Sequence, residues 1–418
     1  MDTIKIINFI IMIVFFVCYA YQFFYVPVAW FGKPKKPPVS GKWHNFAVLI
    51  AARNEEPVIG NLIDSLKEQT YPSQLLTVYV VADNCTDRTA QVAREHGAVV
   101  YERFNRQQVG KGYALHFLLE QIPSDYDAYL VFDADNIVDR HYVEEMNKTF
   151  SAGYEVVTSY LHAKNYGDNW ITAGYGLWFL KDAQYLNRPR SYLGTSCNAC
   201  GTGFLFSHRV LEKAGGWNFF LLTEDVEFTV YNIVHGETIG YCPTAIFYDE
   251  QPTSFRQSAR QRLRWVQGYL QVLGKYGKDL LKGCFQGRFS CFDILMSIAP
   301  AAVITWISIL LNGAAAMYQV WNGAGMATLL TSLGQGVFCM CLSVFLVGLI
   351  TLVSEWKSID CSAGKKIFYL FTFPFFMLTY IPITAAALVC KPEWEPITHN
   401  KVVSIGEISY RQKKEKKA

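Results

Sequence analysis

Val131-Phe132-Asp133-Ala134-Asp135 is an apolar strand end that delivers two carboxylates one residue apart. The run Tyr129–Phe132 is β-branched and aromatic, so it reads as a buried strand. Open α/β sheets collect their ligands where strands end and loops begin. The hard oxygens of an Asp-x-Asp turn suit Mg²⁺ or Mn²⁺ bridging a diphosphate. A lone turn of this kind is more often merely solvated. Its meaning comes from the pattern on either side.

Upstream, Phe46–Ala51 reads as a strand followed by the polar turn Ala52-Arg53-Asn54-Glu55-Glu56. A helix runs from Pro57 towards Glu68, with Ile59, Leu62, Ile63 and Leu66 on one face. Strand Thr77–Ala82 ends at Asp83-Asn84-Cys85-Thr86-Asp87, and helix Thr89–His96 leads to a short strand at Ala98–Tyr101. Gly110-Lys111-Gly112 opens a helix through Leu119. Strands separated by single helices predict an α/β fold with a mostly parallel, doubly wound sheet.

Downstream the pattern is less regular. Glu155–Leu161 reads as a strand, Trp170–Gln184 as an aromatic helix, and Cys197–Phe206 as a small-residue loop entering a strand. Thr223-Glu224-Asp225 opens a helix, with Thr223 as its cap and the acids in its first turn. Thr238–Tyr241 and Ala245–Tyr248 read as short strands, and Ser254 to about Tyr276 as a helix.

Of the 418 residues 51% are hydrophobic and 17% charged, and the apolar residues gather at the two ends. Ile4 to about Trp30 is long enough to span a bilayer, and Lys33, Lys35 and Lys36 place the next segment inside the cell. Phe292–Leu311, Leu330–Val353 and Ile367–Val389 are long enough too, the last interrupted by Pro374 and Pro382. A net charge of +3 without a basic stripe gives no sign of nucleic acid. The eleven cysteines are scattered, and Cys197-Asn198-Ala199-Cys200 lacks a second pair to complete a zinc site, so they read as reduced thiols.

Asp83, Asp133 and Asp135 end different strands and can meet in one crevice, where Lys111 would reach an anionic phosphate. The apolar stretch Trp217–Leu222 would shield Asp225 and keep it basic enough to take a hydroxyl proton. Gln261, Arg264 and Trp265 share one helical flank through i, i+3 and i+4 spacing. Arg264 can pair with a leaving diphosphate, and Trp265 offers the flat face on which sugar rings stack.

Asp83, Asp133-Ala134-Asp135, Thr223-Glu224-Asp225 and Gln261-x-x-Arg264-Trp265, in this order, resemble the motif set of processive, membrane-integrated family 2 glycosyltransferases. That group includes the cellulose, hyaluronan, chitin and poly-N-acetylglucosamine synthases. The likeness implies a GT-A fold, a UDP-sugar donor and an inverting displacement that forms β-linkages. It also implies roles. Ala51, Arg53, Glu55 and Asp83 would hold the uridine, and Lys111 and Asp133 the nucleotide. Asp135, with Asp133, would bind Mg²⁺ or Mn²⁺. Asp225, preceded by Thr223 and Glu224, would be the general base, with Gln261 and Arg264 on the diphosphate. Trp265 would stack on the acceptor sugar, in a pocket shaped by the loop holding Gly201 and Thr202.

The expected organisation is a transmembrane helix over 1–31 and a cytosolic GT-A domain over 32–276. An interface helix and about three spans come next over 277–390, then a basic polar tail over 391–418. No segment after the last span is long enough for a cyclic-dinucleotide sensor domain. Trp394–His399 would lie near the catalytic domain, because the proline-broken last segment need not cross simply. The leading expectation is a plasma-membrane synthase that polymerises a β-glucan, with mixed linkage among the options, from UDP-glucose and passes it across the bilayer. A UDP-GlcNAc polymerase and single transfer to a lipid are the alternatives. A transporter with a regulatory soluble part fits poorly, since the spans hold few polar residues.

Overall fold

The computed structural model describes residues 2–33, 41–321, 323 and 326–390. The proline-rich linker and the tail with Trp394–His399 lie outside the described residues. The strands are β1 (Phe46–Ala52), β2 (Leu76–Asp83), β3 (Val99–Arg103) and β4 (Ala128–Asp133). They continue as β5 (Ile137–Val138), β6 (Val156–Ala163), β7 (Phe204–Ser207) and β8 (Ile239–Asp249). All eight form one sheet in the order β3-β2-β1-β4-β7-β6-β8-β5. Pairings β1–β2, β1–β4, β2–β3 and β6–β8 are parallel. Strand β7 runs antiparallel between β4 and β6, and β5 antiparallel on β8.

The helices are α1 (Asp2–Phe31), α2 (Ile59–Lys67), α3 (Thr89–Glu95), α4 (Lys111–Gln121) and α5 (Tyr142–Ser151). Next come α6 (Trp170–Asp182), α7 (Arg188–Leu193), α8 (His208–Lys213), α9 (Glu224–Val234) and α10 (Phe255–Phe285). The chain then enters α11 (Phe289–Ile298), α12 (Pro300–Trp321), α13 (Met326–Ser354), α14 (Ala363–Leu378) and α15 (Tyr380–Ala387). One core packs α2, α3 and α5 on the sheet through Ile59, Leu62, Ala93, Tyr142 and Met146. The other packs α4, α6 and α9 on the opposite face through Leu115, Leu118, Tyr175, Leu177 and Phe228. Strands β1 and β4, covered on both faces, are therefore almost continuously apolar.

Four expectations change. Strand β8 is continuous, not two strands, and slips register on β6 between Ser159 and Tyr160. Pro243 sits in the slipped stretch, where it has no N–H to give. Helix α10 runs beyond Tyr276 to Phe285. The aromatic helix does not stop near Gln184 but passes through a π-helical turn, Ala183–Asn187, into α7.

The fourth change concerns the membrane segments. The expected span Phe292–Leu311 is divided at Ala299 between α11 and α12, because Pro300 starts a helix more readily than it continues one. Among the described residues, Phe9–Phe31, Gly334–Ser354 and Ala363–Ala387 are long and apolar enough to cross a membrane. In the last of these Pro374 lies within α14, and the helix yields to α15 at Thr379.

Candidate active site

The strand ends at the carboxyl edge are shaped by two tight turns. Asn54 and Asn84 take positive φ, a conformation Asn tolerates better than most residues. The Asn54 side chain accepts the Thr86 N–H at 2.8 Å, lacing the β1 turn to the β2 turn. Asp83 is buried, and Arg103 from β3 donates to its Oδ1 at 2.6 Å. Sequence reading had passed over Arg103, whose partner is recognisable only once β2 and β3 are paired in register.

These turns open into a cavity of about 890 Å³ that runs from the strand ends to the apolar helices. Ala51, Arg53, Glu55, Asp83, Lys111, Asp133 and Asp135 line it, as do Gly201, Thr202, Thr223, Glu224, Asp225, Gln261, Arg264 and Trp265. Every residue singled out from the sequence thus borders one space. Its volume lies in the range of enzyme ligand pockets.

Lys111, the first residue of α4, ties two parts of the site together. Its Nζ donates to Asp133 Oδ1 at 2.5 Å and to the Gly201 carbonyl at 2.6 Å. Burial works against its ammonium, but Asp133 and Glu224 outweigh that and raise its pKa. The Gly201 N–H in turn donates to Asp225 Oδ2 at 2.6 Å. The Thr202 hydroxyl is committed behind the strand end, accepting the Asp133 N–H at 2.9 Å and donating to Asn136.

Asp249, at the end of β8, is a residue the sequence reading missed. Burial, then the charges of Asp135 and Asp133, push its carboxyl well above the usual carboxylate range. Asn136 and Gln251 donate to its two oxygens at 2.8 and 2.7 Å. Lys164, whose ammonium burial disfavours, donates to the Asp135 carbonyl. Carboxylates crowded around Asp249 in this way are a donor set suited to a hard divalent cation. Among the described residues no three or more His, Cys, Asp or Glu side chains close around a metal by themselves.

Thr223 does not cap α9 with its side chain, contrary to expectation, and its buried Oγ1 has no hydrogen-bond partner among the described residues. The hydroxyl is instead pressed against Gly268 of α10, where any side chain would collide with it. The helix start is stabilised by Glu224, Asp225 and Glu227 in its first turn. Fully buried Glu227 also accepts the Leu221 N–H at 2.9 Å and pairs with Lys275 at 2.5 Å, fixing the loop before the acids. Burial, then Asp225, push Glu224 up to about 7. Burial raises Asp225 as well, against the N–H groups of Gly201 and Val226 and the cations Lys111 and Arg264.

On α10, Gln261, Arg264 and Trp265 border the cavity, and the buried Gln261 Oε1 has no partner among the described residues. Trp265 meets Tyr175 and Phe179 of α6 edge-on, with centroids at 5.8 and 6.3 Å. Arg262 is wholly buried on the other side. It donates to Thr379 Oγ1 at 2.7 Å and lies 4.5 Å from the Phe376 ring centroid.

The sequence profile described as "Glycosyltransferase like family 2" matches residues 44–268, more than half of the chain. The protein belongs to this family. Its fold is of the GT-A type. A probable glycosyltransferase of Bacillus subtilis, YdaM, is 29% identical over 56% of this chain and 58% of its own length. A β-monoglucosyldiacylglycerol synthase of Synechocystis is 29% identical over 54% of this chain and 47% of its own. A poly-β-1,6-N-acetyl-D-glucosamine synthase of Staphylococcus epidermidis is 23% identical over 63% and 62%. The chain thus matches about half to three fifths of the length of these relatives. In fold it is similar to a mannosyltransferase of Pyrobaculum calidifontis solved with GDP-mannose and Mn²⁺. That likeness has a TM-score of 0.58 at 15% identity and covers 91% of this chain and 98% of the other.

Proposed function

We propose that this family 2 transferase is a processive, inverting synthase of a β-linked polysaccharide, with UDP-glucose as donor and a β-glucan as product. The observation that carries the reading is one cavity lined both by the strand-end carboxylates and by the apolar helices, with an aromatic wall. Trp178, Phe179, Trp265, Tyr269 and Tyr380 are the aromatic residues of that wall. Flat aromatic faces hold sugar rings while permitting them to slide, as a growing chain must.

In the proposed reaction an acceptor hydroxyl rests on Trp265 and points at Asp225. Asp225 takes the hydroxyl proton as the oxygen bonds to the anomeric carbon of the donor. The bond from that carbon to the UDP oxygen breaks, and the configuration inverts. Arg264 and Gln261 face the departing diphosphate, with Lys111 on its other flank. Asp135 and Asp133 would hold Mg²⁺ or Mn²⁺, which supplies charge neutralisation for that leaving group. Ala51, Arg53, Glu55 and Asp83 form the nucleoside end. The domain organisation follows suit, with α1 as an anchor, a cytosolic transferase domain, and plasma-membrane helices after α10.

A second reading, transfer of one sugar to a lipid, is favoured by the apolar far end of the same cavity, where Met340, Val344, Met377 and Ile381 stand. Purified full-length protein in nanodiscs, given UDP-[¹⁴C]glucose and separately UDP-[¹⁴C]GlcNAc, distinguishes them. The proposal expects ethanol-precipitable label from UDP-glucose that β-glucanase releases. Label extractable only into chloroform establishes the lipid reading, and polymer from UDP-GlcNAc alone corrects the sugar.

A further inference from the structure

Beside Trp265 the cavity is also lined by a face of α6 that the transferase motifs do not include. Trp178, Lys181 and Asp182 all line it, at i, i+3 and i+4, and so share one side of the helix. The opposite side of α6 is ordinary core, with Ala173 and Leu180 buried. Lys181 Nζ donates to Asp182 Oδ1 at 2.7 Å and stands 4.5 Å above the Trp178 ring. The pair is sheltered, with side chains only 16% and 22% exposed. Trp178 in turn packs on Tyr380, centroids 6.3 Å apart. Asp182 also faces the catalytic loop: burial, then the charge of Asp182, push the Cys200 thiol up, and Asp225 adds to it.

Withdrawing an ion pair from water into an aromatic chamber costs desolvation, which new hydrogen bonds must offset. The hydroxyls of a sugar provide them, donating to a carboxylate and accepting from an ammonium while the ring lies on an indole. Because the pair is neutral overall, it does not attract an anionic sugar. We propose that Trp178, Lys181 and Asp182 form the second acceptor subsite, one unit beyond Trp265, and that it takes a neutral hexose rather than a uronate. This rests on the polymerase reading above.

The test uses full-length enzyme in nanodiscs with glucose, cellobiose and cellotetraose as added acceptors, reading UDP release and, separately, intrinsic tryptophan fluorescence in the presence of UDP. Asp182→Asn and Lys181→Met should each raise the apparent KM for cellobiose and cellotetraose about tenfold, the loss of one charge-assisted hydrogen bond. Glucose, which fills only the Trp265 position, should change less than twofold, and so should the KM for UDP-glucose. Cellobiouronic acid should bind wild type at least tenfold more weakly than cellobiose. Equal losses with glucose and cellobiose, or a matching loss of donor affinity, would show the pair to be structural and overturn the subsite. Failure of the polymer reading is seen separately, as wild-type label found only in lipid. The subsite then stands if cellobiose still quenches wild-type fluorescence saturably and Asp182→Asn weakens it, and falls if no saturable quenching occurs.

Discussion

Replacing Glu224 by Gln isolates the charge beside Asp225. Glu224 is raised from the ordinary 4.5 to about 7, first by burial and then by the Asp225 carboxylate. A carboxyl whose folded pKa is raised contributes stability that is complete below its unfolded pKa and is lost as pH rises through the folded value. The window is therefore about pH 4.5 to 7, and the loss across it is on the order of 3 kcal/mol. Gln keeps the shape and cannot ionise, so E224Q should lack that part of the loss over the window. Thermal unfolding of both proteins in the same detergent, from pH 5 to 8.5, measures this. The wild-type midpoint should fall relative to the variant as pH rises, with the two closest at pH 5. Activity supplies a second readout: Glu224 is still neutral where Asp225 first ionises, so E224Q should leave the acidic limb of kcat in place. Parallel unfolding curves across the range would refute the claim that the two acids share a desolvated pocket.

Asp225→Asn should lower kcat by about 10²-fold or more while the KM for UDP-sugar stays within about threefold, because Asn still accepts the Gly201 N–H. A matching loss of UDP affinity in calorimetry would make the residue structural. Asp135→Asn should abolish the Mn²⁺ dependence of UDP binding, and a calorimetric titration with unchanged metal dependence would remove Asp135 from the metal site. Asp293→Asn should destabilise by about 3–5 kcal/mol, since it leaves the buried Arg190 without its bidentate partner. Unfolding midpoints measure that change, and one of under about 1 kcal/mol would deny the pair its anchoring role.

The parts of the site that were legible in the sequence are those with a strand-end or helix-period logic. The residues from Asp83 to Trp265 were picked for carboxylates after apolar runs and for i, i+3, i+4 spacing, and all border one cavity. What escaped depends on pairing between distant segments. Arg103 matters only beside Asp83, and Asp249 only where β8 brings it to Asp133 and Asp135. Trp178 and Asp182 were hidden in a helix whose aromatic content reads as core. The Thr223 cap failed because a tertiary contact, the close approach of Gly268, outweighed a local preference. The proline at 300 was in plain view, yet composition alone carried the expected span across it.

Helix α10 explains how a transferase site and an apolar helix group can act as one piece. Its cavity side presents Gln261, Arg264 and Trp265, while Arg262, one step round the same turn, is sealed among Phe376, Thr379 and Tyr380. One turn on, Gln267 donates to the carbonyls of Ala387, at 3.0 Å, and of Cys390. Two further buried acids pin the remaining helices. Glu355 at the end of α13 accepts from Tyr160 at 2.6 Å and from Gln184, and Asp293 of α11 accepts from Tyr21 and Tyr25 of α1 and from Arg190. Each such acid would be costly to expose or to leave unpaired, so sliding the helices against the catalytic domain would break several charge-assisted bonds at once. On the polymerase reading, the acceptor must therefore move over a fixed aromatic floor. A floor of rings with few directional bonds is what permits that movement, and the neutral Lys181–Asp182 pair is where it would pause long enough to be registered for the next transfer.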